Sequence, residues 1–137
     1  MATKGLDKIC KDIVSAVEGA LGCAVVDLET GLVIGVHHSV PYFTQTYVEA
    51  VAAAAVNMFR GRGISNIEEL LAKQRGEKVE KSIREVQMTT TGTFHFMAVV
   101  PGHDNALTVL ITDRKANLGA GWAALRGAME DIAPECP

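Results

Sequence analysis

The stretch YVEAVAAAAVNMF, residues 47–59, limits what this chain can fold into more than any other segment. It holds five alanines and no glycine or proline, so a helix is expected: alanine has the highest helix propensity and nothing breaks the hydrogen-bond ladder. At about 100° per residue, Thr46, Glu49, Asn57 and Arg60 fall in one narrow polar strip. Tyr47, Val48, Val51, Ala52, Ala54, Ala55, Val56, Met58 and Phe59 then occupy an arc of about 200°, twice the usual amphipathic stripe. One packed layer cannot cover so wide an arc. Either the helix is sunk in a large core, or it has two partners.

A chain of 137 residues has room for one compact domain with a real core. Its composition, 48% hydrophobic and 21% charged, is that of a globular protein and argues against wholesale disorder. The formal net charge of −3, without a basic stripe interleaved with aromatics, argues against nucleic acid as the main partner. Neither a charged-then-apolar leader nor an apolar run long enough to span a bilayer is present in the sequence, so the expectation is a soluble, cytoplasmic protein with no membrane partner. Cys10, Cys23 and Cys136 are odd in number and form no CxxC, which reads as reduced thiols.

Leu6, Ile9, Cys10, Ile13, Val14 and Val17 trace an amphipathic first helix, with Gly19 and Gly22 as its expected stop. LGCAVVDL and LVIGVHH flank Glu29-Thr30-Gly31 and must pair as a hairpin, because a parallel crossover needs a dozen or more residues. The run GCAVV does not alternate, as expected of a strand buried on both faces. Pro41 ends the second strand, and the alanine helix follows at about 46–60. Residues 61–80 are polar, but Ser65-x-x-Glu68 has the form of a capping box. A short helix over 66–75, stopped by Gly76, is expected there as a solvated excursion. SIREVQMTT, TFHFMAVV and NALTVLIT, separated by Thr91-Gly92 and Pro101-Gly102-His103-Asp104, read as an antiparallel meander. Its first strand is the most polar, which suits a sheet edge. Leu118, Gly121, Trp122, Leu125, Ala128, Met129 and Ile132 trace a last helix, capped by Asn117 and stopped before Pro134, with 134–137 expected to fray. Five strands and three main helices pack most economically as one sheet with helices on both faces.

Motifs for chemistry are scarce. Gly119-x-Gly121-x-x-Ala124 opens a helix after a strand, but the following βα unit of a dinucleotide site is missing. Gly121 is better explained by close approach of the last helix to the sheet. If the first hairpin turns about Thr30, Cys23 and His37 face one another, yet two ligands do not make a zinc site. His38, His95 and His103 lie elsewhere, and structural or surface roles suit them better. Cys23 sits in an apolar strand that raises a thiol pKa rather than activating it, and nothing positions Cys136. GxSxG, the phosphate-loop pattern and HExxH are absent from the sequence. No catalytic, cofactor-binding or metal-binding residue is assigned, and no cofactor is expected.

Three stretches resemble the roadblock, or dynein light chain, family of GTPase regulators: GALGCAVVDLETGLVIG (19–35), VEAVAAAA (48–55) and LTVLITDRKANLGAGWAALRGAMEDI (107–132). The resemblance implies a single roadblock-like domain over 1–137 with an α/β (α+β), profilin-like fold. It implies a five-stranded antiparallel sheet of order 2-1-5-4-3, the first and last helices on one face and the central helix on the other. It also implies a homodimer formed edge to edge through strand three, with the central helices packed together. The interface would then include Val48, Ala52, Ala55, Val56, Phe59, Arg84 and Val86, with Ala52 facing the twin rather than the sheet. The helical insertion at 61–80 departs from the family pattern and lies next to that seam. In function, the resemblance implies a non-catalytic regulator or scaffold whose partner is a small Ras-like GTPase. Activation of a GTPase does not require the activator to donate chemistry if it positions the GTPase's own groups. The rival is a small-molecule-sensing module holding a ligand against the sheet. A closed pocket with converging aromatic and polar groups would favour that rival, and a solid core with an open two-fold surface would favour the regulator.

Overall fold

The computed structural model describes residues 2–137, with side chains from Gly5 onward. In chain order the elements are α1 (Ala2–Ala16), β1 (Ala20–Asp27), β2 (Val33–His38), α2 (Gln45–Arg60), α3 (Arg62–Arg75), β3 (Glu85–Thr89), β4 (Thr93–Val100), β5 (His103–Asp113), α4 (Leu118–Gly127) and α5 (Met129–Ile132). The five strands form one sheet of order β2-β1-β5-β4-β3 with every neighbour antiparallel. The fold is the expected profilin-like α+β arrangement.

Two hydrophobic clusters cover the two faces of this sheet. On one, Leu6, Cys10 and Ile13 of α1, Val17 just after it, and Leu125 and Ile132 of α4–α5 pack on Cys23, Val25, Phe96 and Leu110. On the other, Ala52, Ala55 and Phe59 of α2 pack on Val26, Met97, Val99, Leu107 and Val109. Strands β1, β4 and β5 feed both clusters with alternate residues, so both their faces must be apolar, and their unbroken hydrophobic runs follow. Strand β3, alternating exposed and half-buried, is left at the edge, as its polarity predicts.

The hairpin turns at Gly31, whose φ of 78° favours glycine, and the resulting register sets Cys23 opposite His37 as expected. Gly22 is not a helix stop but a strand residue. A Cβ there would come within 2.8 Å of the Phe43 ring, which folds over it. Thr44 caps α2, its hydroxyl accepting from the Tyr47 amide at 3.2 Å. Between β4 and β5 the turn is tighter than the sequence suggests, since Val100 already pairs with His103. Asn117 caps α4 by accepting from the Ala120 amide at 2.8 Å, as predicted. The last helix breaks at Ala128 into α4 and α5. In place of the expected fray, Ala133–Glu135 form a 3-10 turn, and the half-buried Cys136 thiol donates to the Ile132 carbonyl.

The insertion differs most from expectation. Helix α3 begins at Arg62, because Gly61 closes α2 and opens α3 with one extended backbone conformation. Ser65 is therefore inside the helix and forms no capping box. The Glu68 carboxylate instead accepts from the Ser82 amide at 2.7 Å and the Ser82 hydroxyl at 2.5 Å. Gly76, left-handed at φ 69°, ends the helix where the sequence placed the stop.

Candidate partner interface

The wide apolar arc of α2 divides into three parts. Its centre, Ala52, Ala55 and Phe59, is 1% exposed for each residue and lies on the sheet. Val48 and Val56 form one flank, which leans toward the β1–β2 hairpin. Val48 borders a groove with Val33, Val36 and His38, and Val56 lies within 4.0 Å of where a Cβ on Gly31 would stand. Met58, half-buried, occupies the opposite flank by helical geometry, which directs it toward the β4–β3 side, whereas the half-buried Tyr47 and Val51 border the space over β1 and β2, the Tyr47 ring 4.8 Å from that of Phe43. Ala50 and Ala54 beyond Met58 are exposed, and Ala53 is exposed in the polar strip.

Strand β3 completes this side. Its partner is β4 alone, so its outer backbone groups have no strand to pair with among the described residues. Val86 and Met88 stand opposite Met97 and His95 and share the α2 face, with Ile83 just before them. Glu85 points to the other face, where Arg126 of α4 grips its carboxylate with Nε at 2.9 Å and Nη2 at 2.7 Å. That guanidinium, which also lies over the Trp122 ring at 4.7 Å, holds the Glu85 carboxyl below its usual pKa. The edge strand is thus braced from behind, while its α2 side carries a shallow apolar trough of the half-buried Met58, Val86 and Met88 beside the exposed Ala54.

The interface residues expected from sequence do not all gather here. Val86 lies in the trough, and Arg84 stands exposed one position before β3, paired with Asp104 at 3.2 Å. Val48 and Val56 lie on the hairpin flank. Ala52, Ala55 and Phe59 are consumed by the chain's own core, which corrects the expectation that Ala52 faces a twin. Small residues on α2 permit close approach, and the structure spends that approach on the sheet. Ala54 and Met58, on the β3-facing flank of α2, are not among the residues expected from sequence. The signal for them was Phe59, whose bulk at i+4 from Ala55 and i+7 from Ala52 marks the core-facing stripe.

Little here suggests chemistry. The cleft between α2, β1 and β2, bordered by Cys23, His37, Phe43, Tyr47 and Val48, has room for one water, about 20 Å³, and opens beside the groove at Val36 and His38. The Cys23 thiol is pushed well above its ordinary pKa, first by a hydrogen bond with Cys10 and then by burial. His95 is 8% exposed, meets the Thr93 hydroxyl at 3.0 Å, and has its pKa lowered by burial. No group of three His, Cys, Asp or Glu side chains that could hold a metal occurs among the described residues. Gly121 has the packing role expected of it, since a Cβ there would meet the Phe96 ring at 2.6 Å. Among the described residues no helix is long and apolar enough to cross a membrane.

No family model and no curated protein matches the chain. Solved structures do. It is similar to a Roadblock/LC7 domain from Streptomyces avermitilis, with 16% identity, a TM-score of 0.70, and 94% of this chain and 95% of that one covered. Similarity extends to the gliding protein MglB from Thermus thermophilus, at 19% identity and TM-score 0.71, covering 98% and 90%. An MglB described as having a tetrameric arrangement matches at 18% identity and TM-score 0.73, covering 98% and 89%. At such identities the likeness is one of fold, and the chain has the roadblock-type fold.

Proposed function

We propose that this roadblock-type domain is a non-catalytic regulator or scaffold that works as a homodimer and binds a small Ras-like GTPase. The observation that carries the reading is the uncovered trough between α2 and β3. An apolar helix flank beside an unpaired strand edge is costly to leave in water and suits a partner that supplies both a helix face and a strand. A second copy offers both, through a two-fold axis that sets β3 beside β3 and α2 beside α2. Self-association in a structurally similar MglB is consistent with this. The roadblock-type fold and the stretches that resemble that family support regulation of a GTPase as the role. The ligand-sensing reading calls for a closed pocket with converging polar groups, whereas the space under α2 is narrow and mostly apolar in its lining.

The experiment is binding of the purified protein to each small Ras-like GTPase of its source organism, loaded with GDP or a non-hydrolysable GTP analogue. Nucleotide-dependent binding to at least one, with altered GTP hydrolysis or nucleotide exchange, is the expected result. Failure to bind any of them in either state contradicts the GTPase reading.

A further inference from the structure

Helix α3 carries an apolar stripe that its own chain does not cover. Ile67 and Leu70 are 56% and 59% exposed, while Ile64 and Leu71 beside them are half-buried. None of the four belongs to either hydrophobic cluster. A solvated excursion has no use for such a stripe, and its helix has no reason to be held rigidly. Yet α3 is held. Glu68, only 9% exposed, takes two hydrogen bonds from Ser82, three residues before β3. Gly61 ties its start to the end of α2. The helix is therefore fixed at both attachments to the two elements that border the trough.

We infer that α3 is part of the homodimer seam, its Ile67–Leu70 stripe packing on the second copy. The inference rests on the dimer proposed above. Three observations favour a second copy as the occupant. The helix that bears the stripe is attached to the end of α2 at Gly61 and to the approach of β3 at Ser82, so a partner seated on α2 and β3 comes up against it. The trough alone is thin: its outermost α2 residues are the alanines 50 and 54, whereas a stable interface needs about 800 Å² from each side. Large aliphatic side chains on α3 supply what the alanines lack. The rim of the stripe, finally, mixes Glu69, Glu77 and Glu80 with Arg62, Lys73, Arg75 and Lys78, a pattern that complements a copy of itself rather than a strongly charged partner.

The test is a dilution series by sedimentation equilibrium on the full chain, wild type against the double variant Ile67→Lys/Leu70→Lys. Both positions are more than half exposed and lysine is a good helix former, so the variant folds. Each change acts twice across a two-fold axis, so the dissociation constant rises by about 100-fold or more. An unchanged constant in a dimeric wild type overturns the role of α3 and leaves the dimer standing. A wild type that is monomeric throughout overturns both. Hydrogen exchange gives an independent reading: amides of 62–75 are expected to be protected at concentrations above the dissociation constant and released below it. Equal exchange at both concentrations also overturns the inference.

Discussion

Thr108 is a polar residue in the wrong place for a core. It is wholly buried on β5, and its hydroxyl has no hydrogen-bond partner among the described residues. An unsatisfied buried hydroxyl costs about 1–3 kcal/mol relative to an apolar group of the same shape. Thr108→Val is therefore expected to stabilise the protein by roughly 1 kcal/mol, read as a higher urea midpoint with unchanged slope. A lower midpoint means the hydroxyl has a role. His95 makes stability depend on pH in one direction. Burial lowers its pKa in the folded state, while the unfolded chain keeps the ordinary 6.5. The unfolded state therefore binds the proton first, so this contribution is whole above pH 6.5 and is lost as pH falls from there toward the folded value. The melting temperature is expected to fall below that pH, and His95→Gln to flatten that part of the profile. A profile identical to wild type rejects the assignment.

At the scale of elements, the sequence was most legible where one residue type forces one outcome. The Thr30 turn fixed the hairpin and its Cys23–His37 register, and Asn117 fixed the start of α4. Two features were not legible. Ser65 and Glu68 have capping-box spacing, but Gly61 starts α3 earlier and frees the Glu68 carboxylate for a partner 14 positions away. Such a contact leaves no local trace. For α2 the width of the arc was readable, but which third met the sheet rested on the bulk of Phe59 alone, because alanines suit either neighbour. Ala52→Arg discriminates the two assignments. With Ala52 buried on its own sheet, an unpaired guanidinium there costs at least about 3 kcal/mol, so the variant is expected to lose helical circular dichroism at a much lower temperature. A stable, helical monomer would instead return Ala52 to the seam. Helix α3 behaves oppositely. Replacing 62–80 with a Gly/Ser linker removes the Glu68–Ser82 tie but no core side chain, and loop closure costs little more with length. The shortened chain is expected to fold, by chemical-shift dispersion in its NMR spectrum. Collapse to an unfolded spectrum contradicts that.

For the whole molecule, the layers leave one side unfinished. The sheet is covered on both faces, but the outer edge of β3 is unpaired among the described residues, and α2 leaves Ala50 and Ala54 exposed. A regulator that works by contact needs such a surface, and a two-fold axis completes it without a second gene product. Ala54 probes that surface cleanly, since it is exposed within the chain and arginine there leaves the core untouched. The most direct measurement is therefore the solution mass by light scattering, for wild type and Ala54→Arg, across a range of concentrations. The wild type is expected at twice the 14.6 kDa chain mass and Ala54→Arg at the single-chain mass with unchanged helix content. A wild type that stays at the mass of one chain, or an Ala54→Arg variant as dimeric as wild type, contradicts the seam between α2 and β3.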